Sequence, residues 1–193
     1  ALRQRGYQLV AVGGVGARPL DGIPLRRYDP RPSAGLPACH PWLSDAQAKV
    51  IRGEAVGLLV RQLMDEGFIP DLVIGHPGWG EMLALADLLP GVPVVHQQEF
   101  IYRTEGADYG FDPSVDPIDW AGATRVRLRR SLQLHALDAY ACGLTATWFQ
   151  WSSVPAAFRD RVQVIHEGVD TENVTLTPPA GESDELRLAN RGL

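Results

Sequence analysis

Lysine is almost missing from this chain: of its 18 basic residues, Lys49 is the single lysine, a bias toward arginine that genome composition explains as readily as function. Cysteine is scarce as well. Cys39 and Cys142 stand far apart with no C-x-x-C or Cys/His spacing, which excludes a disulfide framework and the common zinc motifs. Both thiols read as small core filler in a reducing cytoplasm. No apolar run approaches the ~18 residues that cross a bilayer, and nothing at the start resembles a secretory signal. Positive charge is not in excess: the net charge of −5 speaks against a dedicated nucleic-acid binder. What is present is ordinary for a globular protein. With 193 residues, 45% hydrophobic and 21% charged, the chain makes one domain and can bury a core without disulfides or metal.

Short apolar runs alternate with longer amphipathic stretches. Residues 1–6 read as the last turn of a helix capped by Gly6, and 7–12 as a buried strand closing in the glycines 13, 14 and 16. Pro19 stands where a dinucleotide fingerprint wants its third glycine, so these glycines make a turn and not a nucleotide loop. A helix tail feeding a strand implies an earlier strand and helix. A short strand over 23–28 and a proline-rich loop over 29–42 come next. Ser44-Asp-Ala-Gln47 has the form of a capping box, opening a helix to about Glu66 with Gly67 as terminator. Val50, Ile51, Ala55, Leu58, Leu59 and Leu63 mark its core face. Further strands are expected at 70–74, buried on both faces, and at 92–95, 144–146 and 162–165. Further helices are expected from Glu81 to about Leu89, over 118–141, and over most of 148–158. Residues 1–170 form the domain and 171–193 a linker.

Such alternation predicts an α/β fold, a parallel sheet with helices on both faces. Ligands of such sheets sit beyond the carboxyl ends of the strands. That rule selects the loops at 13–16, 76–81, 96–106, Thr147 and 166–170. In the second of these, His76, Gly78, Trp79, Gly80 and Glu81 combine close backbone approach, two hydrogen-bonding side chains, a flat ring for a sugar face, and the exposed N–H groups of the helix expected to follow. The same residues also suit a plain turn, with Trp79 packed and Glu81 complementing that helix's dipole. Both readings stand at this point. His96 and Glu99, after the next strand, could orient a hydroxyl and accept its proton, or simply satisfy local donors.

Glu105, Asp108, Asp112, Asp116 and Asp119 invite a metal reading. Gly110, Pro113 and Pro117 break any helix that would align them, so a solvated loop, or a lid over an acceptor, is expected and no metal. Arg125, Arg127, Arg129 and Arg130 spread over more than one helix face and read mainly as solvated.

The stretch Pro70-Asp-Leu-Val-Ile-Gly-His-Pro-Gly-Trp-Gly-Glu81 resembles the N-terminal domain of family 4-like glycosyltransferases. Arg52-Gly-Glu-Ala-Val56, Glu99-Phe-Ile-Tyr-Arg103, Glu105-Gly-Ala-Asp-Tyr-Gly-Phe-Asp-Pro113 and Val164-Ile-His-Glu-Gly-Val-Asp170 support it, and the likeness covers about residues 1 to 175. It implies a GT-B architecture, in which this Rossmann-like half holds the acceptor and a second domain holds a nucleotide-sugar donor. It further implies retaining transfer to a glycan or lipid-linked acceptor, as in polysaccharide biosynthesis, with no cofactor and no bound metal. On this resemblance 76–81 and 96–99 face the cleft. The first strand with its glycine loop, and the donor domain, would lie outside residues 1–193, leaving this piece inactive alone. The expected location is cytoplasmic, at the inner face of the membrane where the acceptor is lipid-linked. A rival reading is a stand-alone, non-catalytic sugar-binding or protein-docking module of the same build.

Overall fold

The computed structural model describes residues 2–31, 39–106, 109–112, 114, 115, 117 and 119–171. The linker expected over 171–193 lies, except for Thr171, outside the described residues. So do Asp108, Asp116 and half of the proline-rich stretch at 29–42.

Among the described residues six strands and four α-helices follow one another: β1 (Ala11–Gly14), β2 (Leu25–Tyr28), α1 (Ser44–Asp65), β3 (Val73–Gly75), α2 (Leu85–Leu88), β4 (Val94–Gln97), α3 (Trp120–Ala139), β5 (Cys142–Thr145), α4 (Trp148–Ser153) and β6 (Val162–Val164). Every pairing between these strands is parallel among the described residues; within β3–β6 each connection carries a helix, whereas β1 and β2 are joined by an irregular segment over 15–24. The strands divide into a two-stranded ribbon, β1–β2, and a four-stranded sheet in the order β3-β4-β5-β6. The α/β, Rossmann-like expectation is met by parallel sheets flanked by helices. No helix among the described residues is long and apolar enough to cross a membrane.

Two apolar cores hold these layers. Tyr28, Val56, Val60, Met82, Leu85, Leu89 and Val94 join α1 and α2 to β2 and β4. Ile101, Leu137, Tyr140, Val154 and Val162 join α3 to β6 and to the chain following β4.

Several expectations are corrected. The first six residues contain a 3-10 turn, Arg3–Arg5, ended by Gly6 as anticipated. The first strand begins at Ala11, not Tyr7, and it is not buried: Tyr7 and Val12 are exposed. The ribbon meets α1 through β2, and neither Tyr7 nor Val12 belongs to the core so formed. At α1, Ser44 makes no capping box. A 3-10 turn over Pro41–Leu43 runs straight into the helix, and the Ser44 hydroxyl donates back to the Pro41 carbonyl at 2.9 Å. The buried stripe of α1 runs through Lys49, Gly53, Val56, Val60 and Leu63, while Val50 and Leu58 face solvent. Strand β3 is an edge strand, so Ile74 is 56% exposed where burial on both faces was expected. Between Glu81 and α2 the chain forms turns, so no helix N-terminus follows the His76 loop directly.

Other boundaries move for local reasons. Helix α3 begins at Trp120 because the Asp119 carboxylate accepts from the Gly122 N–H at 2.5 Å. Helix α4 begins after Thr147, which makes a reciprocal capping box with Gln150 and gives way to a 3-10 stretch at Ala156–Arg161.

Candidate functional site

The loops selected at the strand ends do not all converge. Those after β3 and β4 meet the start of α1 and the middle of α3 around a small open cleft. Asp45, Lys49, His76, Trp79, Gln98, Glu99, Phe100, Tyr102 and Gln133 are among its lining. Thr147 serves as a helix cap. The loop at 166–170 is tied to β4 by a Gln97-to-Glu167 hydrogen bond of 2.8 Å. The glycines expected to make a turn at 13–16 are split: Gly13 and Gly14 belong to β1, the turn is confined to 15 and 16, and all of them lie on the separate ribbon.

His76 opens a 3-10 turn over Pro77–Trp79, and its Nδ1 accepts from the Gly78 N–H at 3.1 Å. With Nδ1 an acceptor, the neutral imidazole carries its proton on Nε2. That atom is buried, lies 3.5 Å from a Glu99 carboxylate oxygen, and makes no hydrogen bond among the described residues. The Trp79 ring is 58% exposed and tilted 36° to the imidazole at 6.3 Å, so a flat apolar surface stands open beside the donor.

Two glycines bring this loop onto α1. Gly80 has φ +103°, and a Cβ there would lie 2.3 Å from the Lys49 carbonyl oxygen. A Cβ on Gly53 would in turn lie 2.8 Å from the Gly80 carbonyl oxygen. No residue with a side chain permits this approach, and the approach sets Lys49 beside His76. Arg52 then bridges the contact, donating to the Trp79 carbonyl at 2.5 Å while its Nε stands 3.7 Å from Glu81.

Glu81 does not line the cleft. Its carboxylate faces β2, where the Tyr28 hydroxyl donates to it at 2.6 Å. Burial, then the bond to this carboxylate, raises the Tyr28 phenol well above its ordinary range. Glu81 therefore pins the ribbon to the back of the His76 loop.

His96 is also elsewhere. Strand β4 extends through Gln97, so His96 lies within the sheet, in register with Gly75 and Gly143 and 2% exposed. Its ring stacks on Tyr140 at 5.2 Å. Burial, with a smaller contribution from the charge of His76, pushes its pKa down to about 4. At neutral pH it is an uncharged core residue. Of the residues singled out in the sequence, His76, Gly78, Trp79 and Glu99 share the cleft. Gly80 seats the loop behind it.

Gln98, Phe100 and Tyr102 belong to the selected 96–106 loop without having been singled out, whereas Asp45, Lys49 and Gln133 escaped the sequence reading. Lys49 is 5% exposed, pairs with Asp45 four residues earlier at 2.8 Å, and lies 5.9 Å over the Tyr102 ring. Arg129 reaches the other oxygen of Asp45 at 3.9 Å. Gln98 is 3% exposed, and its Nε2 has no hydrogen-bond partner among the described residues. Its backbone N–H donates to the Leu144 carbonyl at 2.6 Å. Beyond it the chain is irregular but held by side chains. Ser153 accepts from the Ile101 N–H at 2.8 Å, and Gln133 accepts from the Tyr102 N–H at 3.0 Å while donating to the Phe100 carbonyl at 2.9 Å. Buried backbone outside a sheet needs such partners, and here they make a firm floor. One sequence signal could have found Lys49: a lone lysine at an interior helix position, with an aspartate one turn before it.

Among the described residues no group of three or more His, Cys, Asp or Glu side chains could hold a metal ion. Asp112 accepts from both the N–H and hydroxyl of Ser114, and Asp119 caps α3, so these two carboxylates have separate local tasks. Arg125, Arg127 and Arg129 are exposed.

A model of the glycosyl transferase family 4 group matches residues 5–174 of this chain. No curated protein matches it.

Proposed function

The chain belongs to the glycosyl transferase family 4 group, and from that premise we propose that the cleft between the His76 loop and the Gln98–Tyr102 segment is the acceptor side of a sugar-transfer site. The observation that carries this reading is a pair of buried donors, His76 Nε2 and Gln98 Nε2, that make no hydrogen bond among the described residues, in a cleft that also carries the exposed Trp79. Sugar hydroxyls satisfy such donors, and the C–H face of a pyranose ring covers an indole. Carboxylates at Asp45 and Glu99 provide the matching acceptors.

The proposed reaction is retaining transfer from a nucleotide-sugar donor to a hydroxyl of a glycan or lipid-linked acceptor. The acceptor oxygen bonds to the anomeric carbon, the bond from that carbon to the diphosphate breaks, and the hydroxyl proton leaves with the departing phosphate. Charge grows on the diphosphate as the sugar takes on oxocarbenium character. A donor-binding domain outside residues 1–193 would stabilise that charge with basic side chains and helix N-termini. The task of the cleft is orientation, holding one hydroxyl against the anomeric carbon, an effect worth several kcal/mol when geometry is right. A lipid-linked acceptor would bring the protein to the inner face of the membrane.

A donor and acceptor screen on the protein as encoded tests the reading. His76→Ala and Trp79→Ala should each raise the acceptor KM about tenfold or more with the donor KM unchanged. Wild-type acceptor KM in both variants would remove the cleft from the site.

A further inference from the structure

Among the described residues lining the cleft, Lys49 is the one Lys or Arg, and its surroundings specify what that cation can read. Lys49 is the chain's single lysine, it is almost wholly buried, and its ammonium contacts a carboxylate in the same wall. Gln98, equally buried, adds an amide N–H with no partner among the described residues. Charges facing the cleft are Lys49 against Asp45 and Glu99, with Arg129 behind Asp45. An anionic ligand would therefore meet two carboxylates for one ammonium inside the cleft. An alkyl chain would leave the Gln98 amide dry and unpaired, at the full desolvation cost of a buried donor. A hydroxyl pair avoids both penalties. Each hydroxyl both donates and accepts, so two on adjacent carbons can accept from an ammonium and donate to the carboxylate touching it. The next oxygen of the same ring is then left for an amide N–H.

Resting on the acceptor-side reading above, we propose that Asp45, Lys49 and Gln98 form a subsite for a vicinal diol, so that the group seated in the cleft is an uncharged saccharide ring. Trp79 shares the lining, and the Lys49 ammonium lies 5.9 Å over the Tyr102 ring. The Gly53–Gly80 contact is what places the subsite, because it fixes the Lys49 backbone against the His76 loop.

The test is equilibrium binding of methyl glucoside, methyl galactoside and methyl mannoside to the protein as encoded, read by saturation-transfer NMR. Inorganic phosphate serves as the competing anion, and thermal melts check folding. For the tightest of the three, Lys49→Met and Asp45→Asn should each weaken binding about tenfold. The double variant should be little worse than either, because the pair acts as a unit. Removing either hydroxyl of the diol from the glycoside should weaken binding similarly in wild type and hardly at all in Lys49→Met. Phosphate should not compete. Wild-type affinity in both folded single variants, with binding still lost in Trp79→Ala, would overturn the subsite and leave the acceptor cleft standing. Lys49-dependent displacement by phosphate would overturn it in favour of an anion site. Failure of every glycoside to bind wild type would overturn the subsite and the acceptor reading together.

Discussion

The ribbon β1–β2 and the sheet β3–β6 share one geometry, parallel pairing of very short strands, and differ in what supports them. The sheet packs against α4 and the 3-10 stretch before β6, and fully buried residues such as Leu137, Ile101 and Val154 lie in the core that joins it to α3. The ribbon contributes one side chain, Tyr28, to the core. Otherwise it is tied down by the Tyr28–Glu81 bond and by an exposed Arg26–Glu66 ion pair at 2.5 Å. Tyr7, Val12, Val15 and Leu20 are left in contact with solvent. The cleft residues stand on the supported region, where packing holds side chains to one geometry. The ribbon touches the cleft only from behind, through Glu81.

Cavity variants should break the comparison if it is wrong. Leu137→Ala empties a fully enclosed position and should cost about 3 to 4 kcal/mol in urea denaturation, whereas Val12→Ala on the ribbon should cost less than about 0.5. Equal losses would mean that the two regions are supported alike.

Acid should distinguish them next. Below pH 6.5 the unfolded chain protonates His96, while the folded chain resists until about pH 4. Stability contributed by its neutral burial is complete above pH 6.5 and declines as pH falls through that window, by about 3 kcal/mol in all. Chemical denaturation from pH 8 to pH 4 should show this decline, and His96→Gln should flatten it. An unchanged slope in the variant would place the sensitivity elsewhere.

The smallest effect sharpens the account of the contact between the regions. Tyr28→Phe keeps the packed ring and removes the hydroxyl from Glu81, which should cost about 1 kcal/mol. Amide exchange should quicken at 11–14 and 25–28 while β3–β6 stay protected. Uniform quickening would show that the ribbon and sheet open together.

The order of strands and helices could be read from the sequence because short apolar runs separated by amphipathic stretches admit few alternatives. Details failed where polar or small residues occupy interior positions. Lys49 and Gly53 lie on the buried stripe of α1, so a search for apolar periodicity chose Val50 and Leu58, which face water. His96 and Gln97 extend β4 beyond its apolar stretch, so a core histidine was read as a loop histidine. Glu81 was read as a sugar-binding or dipole-complementing side chain because its partner, Tyr28, lies 53 positions earlier on another strand. The His76–Trp79 turn was visible because its Pro and Gly fix the backbone locally. The cleft's far wall was not, because Lys49, Gln98 and Gln133 meet only through tertiary packing.

A structure of the protein with a methyl glycoside bound tests the central claim most directly. The account predicts the ring against Trp79, with hydroxyls on His76 Nε2, on Gln98 Nε2 and on the Lys49–Asp45 pair. Sugar bound instead at the β1–β2 ribbon or beside His96, with the cleft left to solvent, would contradict it.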